Sequence, residues 1–296
     1  MKQNSTNFNE TTLMKRNGWI VALLLLCTVV VGFSKSFRQT DDWKPLFNGK
    51  DLSGWDTYLG PPLDDSGKML STIPVGLNKD PKHVFYVVKE NGEKVIRISG
   101  EAWGGLSTKA EYKDFHLQLK FKWGSLSWGQ KKNKKKDSGL LYFATGRHGA
   151  DYGAWMRSQE FQIEEGNSGD YWGVAGGMED ITAIKKSDSE YVYDPAGPLI
   201  TFSANGKTGR HCTKRLDAEK PSGQWNTLDL YCHGDTSVHV INGVAMMVLV
   251  HSGQWENGQQ RPLTQGKLQI QSEGAEVFYK DIKIKPLNVV PKALLK

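Results

Sequence analysis

Hydrophobic residues recur at every second position through most of this chain. The run FHLQLKFKW sets Phe115, Leu117, Leu119, Phe121 and Trp123 against His116, Gln118, Lys120 and Lys122. Alternate residues of an extended chain share a face, so this spacing predicts a strand buried on one side. VFYVVKENGEKVIRIS reads as two strands around Asn91-Gly92, and SVHVINGVAMMVLV as two strands around Asn242-Gly243. Asn-Gly tolerates the positive φ that a tight hairpin turn needs. KLQIQ and VFYKDIKI add strands near the C-terminus, whereas runs with helical periodicity are hard to find. Many short strands, 32 glycines and ten tryptophans predict an all-β sandwich or jelly roll. No repeat period and no Pro/Ser-rich linker divides the chain, so we read one domain over residues 41–287, followed by a frayed tail, NVVPKALLK. The stretch 60–83 is too long for a plain turn, and loops of that length are usually functional or disordered.

The N-terminal pattern departs from this. Lys15-Arg16 precede an apolar run of about fifteen residues, which is signal-peptide length rather than the roughly twenty residues of a membrane span. Residues 1–34 are therefore expected to be a signal peptide, and the mature protein periplasmic or in the cell envelope; an uncleaved anchor is the alternative. Cys27 lacks a lipobox context. In an oxidising compartment Cys212 and Cys232 could bridge, or stand as two separate buried thiols.

The formal charge of +6 does not describe a nucleic-acid-binding face. Residues 1–34 carry a net +2, five lysines lie in KKNKKK (131–136), and the remainder of the chain is −1. We read the lysine run as a solvated loop between strands; contact with anionic polysaccharide or lipid head groups is the functional alternative.

WMRSQEFQIEEGNSGDYWG holds the candidate chemistry. Ser158, Glu160, Gln162 and Glu164 share one face of a strand, while Phe161 and Ile163 supply the core side. The plain reading is the wet outer face of a sandwich. However, no cation interleaves the carboxylates, although two like charges on one face normally invite one. Trp155, Tyr171 and Trp172 flank the row. Acids and amides take sugar hydroxyls, and flat rings stack on the apolar faces of pyranoses. A standard glycosidase pair is excluded by distance. Residues four apart on a strand lie about 13 Å apart, against about 5–9.5 Å for paired carboxylates.

Six segments in order complete the picture: LFNGKDLSGW (46–55), LSTKAEYKDFHLQLKFKWG (106–124), DSGLLY (137–142), QEFQIEEGNSGDYWG (159–173), GQWNTLDLYCHGDTSVHVINGV (223–244) and GKLQIQSEGAEVFYKDIKI (266–284). Together they resemble the 3-keto-disaccharide hydrolase family. The resemblance implies a concanavalin A-like jelly-roll β-sandwich of two antiparallel sheets. It also implies cleavage of glycosides whose sugar carries a ketone at C3. That ketone acidifies the C2 hydrogen, so one base can remove it and the aglycone leaves from C1 by β-elimination, with water added later. Such chemistry needs one proton acceptor and a group that stabilises the enolate.

The family's Glu-x-Gln-x-acid motif falls on Glu160, Gln162 and Glu164. The resemblance implies Glu160 or Glu164 as base or cation ligand, and Gln162 as a holder of a sugar hydroxyl. Lys109 and Gln271 are further substrate-binding candidates, and Trp172 is the candidate for stacking. Phe143 stands where relatives often carry a basic side chain, and Gln271-Ser272-Glu273-Gly274 replaces a Gln-x-His-Gly pattern. Either change puts an electrophile or metal ligand in doubt. Glu273 could join Glu160 and Glu164 in binding a divalent cation through oxygen; a loop glutamate is the plainer reading.

The substrate would be an oligosaccharide or other glycoside, with the 3-keto sugar supplied by a partner oxidoreductase. A lectin-like carbohydrate-binding module is the alternative, because jelly rolls host both. A surface-interaction protein using the lysine loop is a third reading. No His-Glu-x-x-His, Gly-x-Ser-x-Gly, Walker loop or Cys-x-x-Cys is present, and His83, His116, His148, His211, His233, His239 and His251 are too scattered to predict zinc.

Overall fold

The alternating runs pair as antiparallel strands in two sheets in a computed structural model that describes residues 42–296. The signal-peptide reading lies outside the described residues. The predicted strands form over Phe115–Ser127, Phe85–Glu90, Glu93–Ile98, Thr236–Ile241, Val244–Glu256, Lys267–Ser272 and Ala275–Pro286. Asn91 and Asn242 have φ of 47° and 50° ahead of Gly92 and Gly243, the left-handed pair that closes a two-residue hairpin. No α-helix forms among the described residues.

The larger, 12-stranded sheet is centred on Phe115–Ser127, between Asn226–His233 and Ala275–Pro286. Its inward set, Leu117, Leu119, Phe121 and Trp123, is buried as the period of two requires. The eight-stranded sheet runs in the order His211–Cys212, Tyr171–Val174, Arg157–Glu164, Asp137–Thr145, Lys267–Ser272, Gly104–Thr108, Trp55–Leu59, Gly76–Leu77. Phe161, Ile163, Leu140 and Ile270 project from it into the shared core. This is the jelly-roll β-sandwich expected, with the acidic strand near the middle of one sheet.

Phe161 is fully buried and stacked on His239 with ring centroids 4.0 Å apart. Phe161→Ala should remove about 3–5 kcal/mol of stability through lost burial and the cavity it leaves, read as a lower urea midpoint. The core also carries a polar seam. The Tyr142 hydroxyl meets Ser237 at 2.9 Å and His239 at 3.2 Å, and the Tyr171 hydroxyl donates to Gln159 at 2.7 Å. Burial pushes the His239 imidazole down to about 3, so it stays neutral.

One open reading is resolved, one expectation changes and one long stretch gains structure. Cys212 and Cys232 are buried free thiols, Cys212 at an edge of the smaller sheet and Cys232 within the larger. The C-terminal tail is docked rather than frayed: Val290 is buried against Val238 and Val240, and a 3-10 turn follows over Lys292–Leu295. The long stretch after residue 60 is a built tongue. Leu63 bridges Met69, and the Leu70 N–H donates to Pro62 O at 2.9 Å. Its tip is closed by the Asp64 carboxylate, which accepts from Ser66 N, Ser66 Oγ and Lys68 N at 2.9, 2.7 and 2.9 Å.

Candidate active site

Strand register brings the polar row into a cluster. Glu164 lies opposite Asp137, Gln162 opposite Gly139 and Glu160 opposite Leu141, while Trp172 flanks Glu160 from the other side. Across the next strand, Gln271 reaches over Gly139. A Cβ at Gly139 would collide with both Glu160 Oε1 and the Gln271 amide, so glycine is what allows those two side chains to share the space above it. The row is not a solvated outer face. Glu160 is 5%, Gln162 7% and Asp137 4% exposed, on the floor of a cavity of about 370 Å³.

The missing cations come from loops. Lys131, first of the lysine run and placed by the 3-10 turn Gly129–Lys131, pairs with Asp137 and lies 3.3 Å from Glu164. Burial opposes its charge, but Asp137, Glu273 and Glu164 outweigh that and hold the ammonium above its ordinary value. The reading of the run as solvated loop therefore fails at Lys131 and stands for the exposed Lys132, Lys134 and Lys135. Arg210 enters from the far side, paired with Asp151 at 2.7 Å and 5.5 Å from the Trp172 ring centre.

Burial raises the Glu160 carboxyl well above the usual range; the charge of Asp137 adds to this, and Arg210 pulls back. Burial likewise pushes Asp137 up to about 6, partly offset by Lys131. A carboxyl whose folded value exceeds its unfolded one favours the fold below the unfolded value and loses that contribution as pH rises through the folded one. For Asp137 the window runs from 3.8 to about 6. Denaturation midpoints taken from pH 4.5 to 7.5 should show wild type falling relative to Asp137→Asn as pH rises through that window.

Two buried acceptors, Gln162 Oε1 and Gln271 Oε1, have no hydrogen-bond partner. Buried polar atoms are rarely left so, and hydroxyl donors of a ligand would satisfy both. Aromatic walls complete the cavity. Trp103 stacks on Trp155 at 5.5 Å, Tyr152 approaches both edge-on, and Trp172 is stacked on His211 at 4.2 Å.

Residues 42–285 match the family model of the 3-keto-alpha-glucoside-1,2-lyase-like domain. The chain belongs to this family. No curated protein matches it. Among solved structures it is similar to a proposed glycosyl hydrolase from Parabacteroides distasonis, at 19% identity and TM-score 0.47 over 83% of this chain and 94% of that one. It is also similar to a Bacteroides ovatus mixed-linkage glucan GH16 enzyme in complex with its product, at 10% identity and TM-score 0.45 over 82% and 98%. Carbohydrate binding module CBM66 from Bacillus subtilis is similar at 8% identity and TM-score 0.38 over 67% and 90%. At these scores the likenesses carry no inference about chemistry.

In this lyase-like domain Glu160, Gln162, Glu164, Trp172 and Gln271 line one cavity, and Glu273 joins them. Lys109 does not. It is an exposed side chain beyond the strand Gly104–Thr108, with Nζ 3.9 Å from Asp56. Phe143 does not face the cavity either. A bulge between Tyr142 and Thr145, with φ of 54° at Phe143, turns its ring into the core against Phe115. Among the described residues no three His, Cys, Asp or Glu side chains come together as a metal ion would require. At the acidic end the Lys131 ammonium already supplies the positive charge between Asp137 and Glu164. Lys131, Asp137, Asp151, Arg210, Trp103 and Tyr152 were not singled out from sequence. Only Asp137 carried a signal, being two residues from Gly139 on a strand and so on the same face.

Proposed function

We propose that this domain cleaves the glycosidic bond of 3-keto-glycosides by β-elimination, with Glu160 as the base. The observation that carries the reading is Glu160 itself: a buried carboxyl on the cavity floor whose charged form burial disfavours. A desolvated carboxylate is a stronger base than a solvated one, which suits removal of a carbon-bound proton. Glu164 is a poorer choice, because it is engaged by Lys131 and Asn167.

Glu160 takes the C2 proton and the electron pair moves toward O3. The resulting enolate is stabilised by the ammonium of Lys131 or the guanidinium of Arg210. Collapse of the enolate forms the C1–C2 double bond and breaks C1–O, and the proton passes to the departing oxygen. Addition of water to the unsaturated sugar completes a net hydrolysis. Gln162 and Gln271 hold hydroxyls, and the aromatic walls hold the ring. Asp137 and Glu164 position Lys131. On this reading a partner oxidoreductase supplies the C3 ketone, and the basic-then-apolar N-terminal pattern supports export to the periplasm or envelope.

The test is aglycone release from a chromogenic 3-keto-glucoside beside the unoxidised glucoside. Cleavage of the keto substrate alone is expected. Equal cleavage of both would remove the need for a ketone and overturn elimination. Saturable binding of glycosides with no turnover of either would make the cavity a lectin site.

A further inference from the structure

Trp103, Gln130 and Tyr152, which line the cavity, also line a second compartment of about 490 Å³, whose remaining wall is the tongue, through Pro61, Leu63, Ser66, Gly67, Lys68 and Met69. The two compartments differ in chemistry. The first is floored by carboxylates and amides, whereas no carboxylate lines the second among the described residues. Sugars need such groups for their hydroxyls; a flat apolar ring needs aromatic and aliphatic surface.

Three local features show that this wall is built. Pro61 is held against the 149–153 loop, where a side chain at Gly60 or Gly153 would come within 2.8 Å of Gly153 O or 2.9 Å of Pro61 Cδ. Tyr152, exposed in that loop, has φ of 46°, a conformation non-glycine residues rarely adopt and one that turns up where a side chain must be aimed. Met69 lines the compartment and is exposed, and Leu70 and Ile73 stand exposed after it along the chain.

We propose that this compartment is a leaving-group subsite for planar aromatic or comparably apolar aglycones. The inference rests on the elimination reading for its name as a leaving-group site, since the two compartments share Trp103, Gln130 and Tyr152. Its affinity for an aromatic molecule is independent of that reading.

The test compares wild type with Met69→Ser and Leu63→Asn on methyl and 4-methylumbelliferyl 3-keto-glucosides. Each variant is compared with wild type on the same substrate, so the differing leaving-group chemistry cancels. The expected result is a fall in kcat/KM on the aryl substrate about tenfold larger than on the methyl one, as removal of apolar contact predicts. Equal falls on both overturn the proposal. Calorimetric titration of 4-methylumbelliferone alone decides the matter without turnover. Saturable binding that weakens about tenfold in Met69→Ser supports the subsite, and absence of saturable binding to wild type overturns it. Failure of all 3-keto-glucosides to turn over would count against elimination only, and the titration would still decide the subsite.

Discussion

Glu160→Gln should lower kcat/KM on a chromogenic 3-keto-glucoside by about a thousandfold, within the range that positioned acid–base groups supply. The substitution is nearly isosteric and preserves a polar group beside Gln271 over Gly139. On the elimination reading, what it removes is the proton acceptor. Folding should not suffer, because burial already disfavours the charged form of this carboxyl; an unchanged or higher urea midpoint for Glu160→Gln would separate lost chemistry from lost structure. The pH profile gives a second reading. If elimination holds, the base acts as carboxylate, so activity should rise with pH through its pKa, and burial should place that acidic limb above the usual glutamate range. Glu164→Gln should leave the limb in place. If Glu160→Gln kept its activity while Asp137→Asn lost it, the base would be Asp137.

Lys131→Met should lower kcat by about a hundredfold, the scale seen when one preorganised stabiliser of a developing oxyanion is removed. Lys134→Met, in the same run but exposed, should stay near wild type. The contrast matters because it separates an electrostatic role of the whole run from the role of one ammonium. Loss on Lys131→Met should sit in kcat rather than KM, since the charge is needed as the enolate forms. The placement of Lys131 depends on backbone that glycine adopts most readily. Gly129 has φ of 51°, and a side chain on Gly67 at the tongue tip would come within 2.9 Å of the Gln130 backbone N. Gly67→Ala, which adds a methyl against Gln130 in the wall of the second compartment, should therefore reduce kcat.

Much of this was readable from the chain. Strands announce themselves by a period of two, and the Glu160, Gln162, Glu164 row needed only that period to be placed on one face. What crosses between strands was harder. Asp137 lies opposite Glu164 by register, and register is set by the whole sheet. Lys131 and Arg210 reach the cavity from a turn and a loop, where no periodicity reports direction. A lysine in a run of lysines looks solvated by composition, and only the burial of its partners shows otherwise. Lys109 shows the opposite case: it sits in a segment resembling the family, yet its side chain is exposed and lies outside this cavity. The tongue was visible as length without structure, because its fold rests on Asp64 capping a turn and on contacts with distant glycines.

Asp137, Glu160, Gln162, Glu164 and Gln271 all rise from one sheet, and that one-sidedness has a stereochemical consequence. An enzyme with acids on both faces of a sugar reads the anomeric centre. A single base beneath the ring reads the carbon whose hydrogen points down at it, and the intermediate it forms is flat at C1. Such a site should accept both anomers of a 3-keto-glucoside while sparing the C2 epimer, in which that hydrogen faces the roof. Selectivity would then be written at C2, one atom away from the bond that breaks.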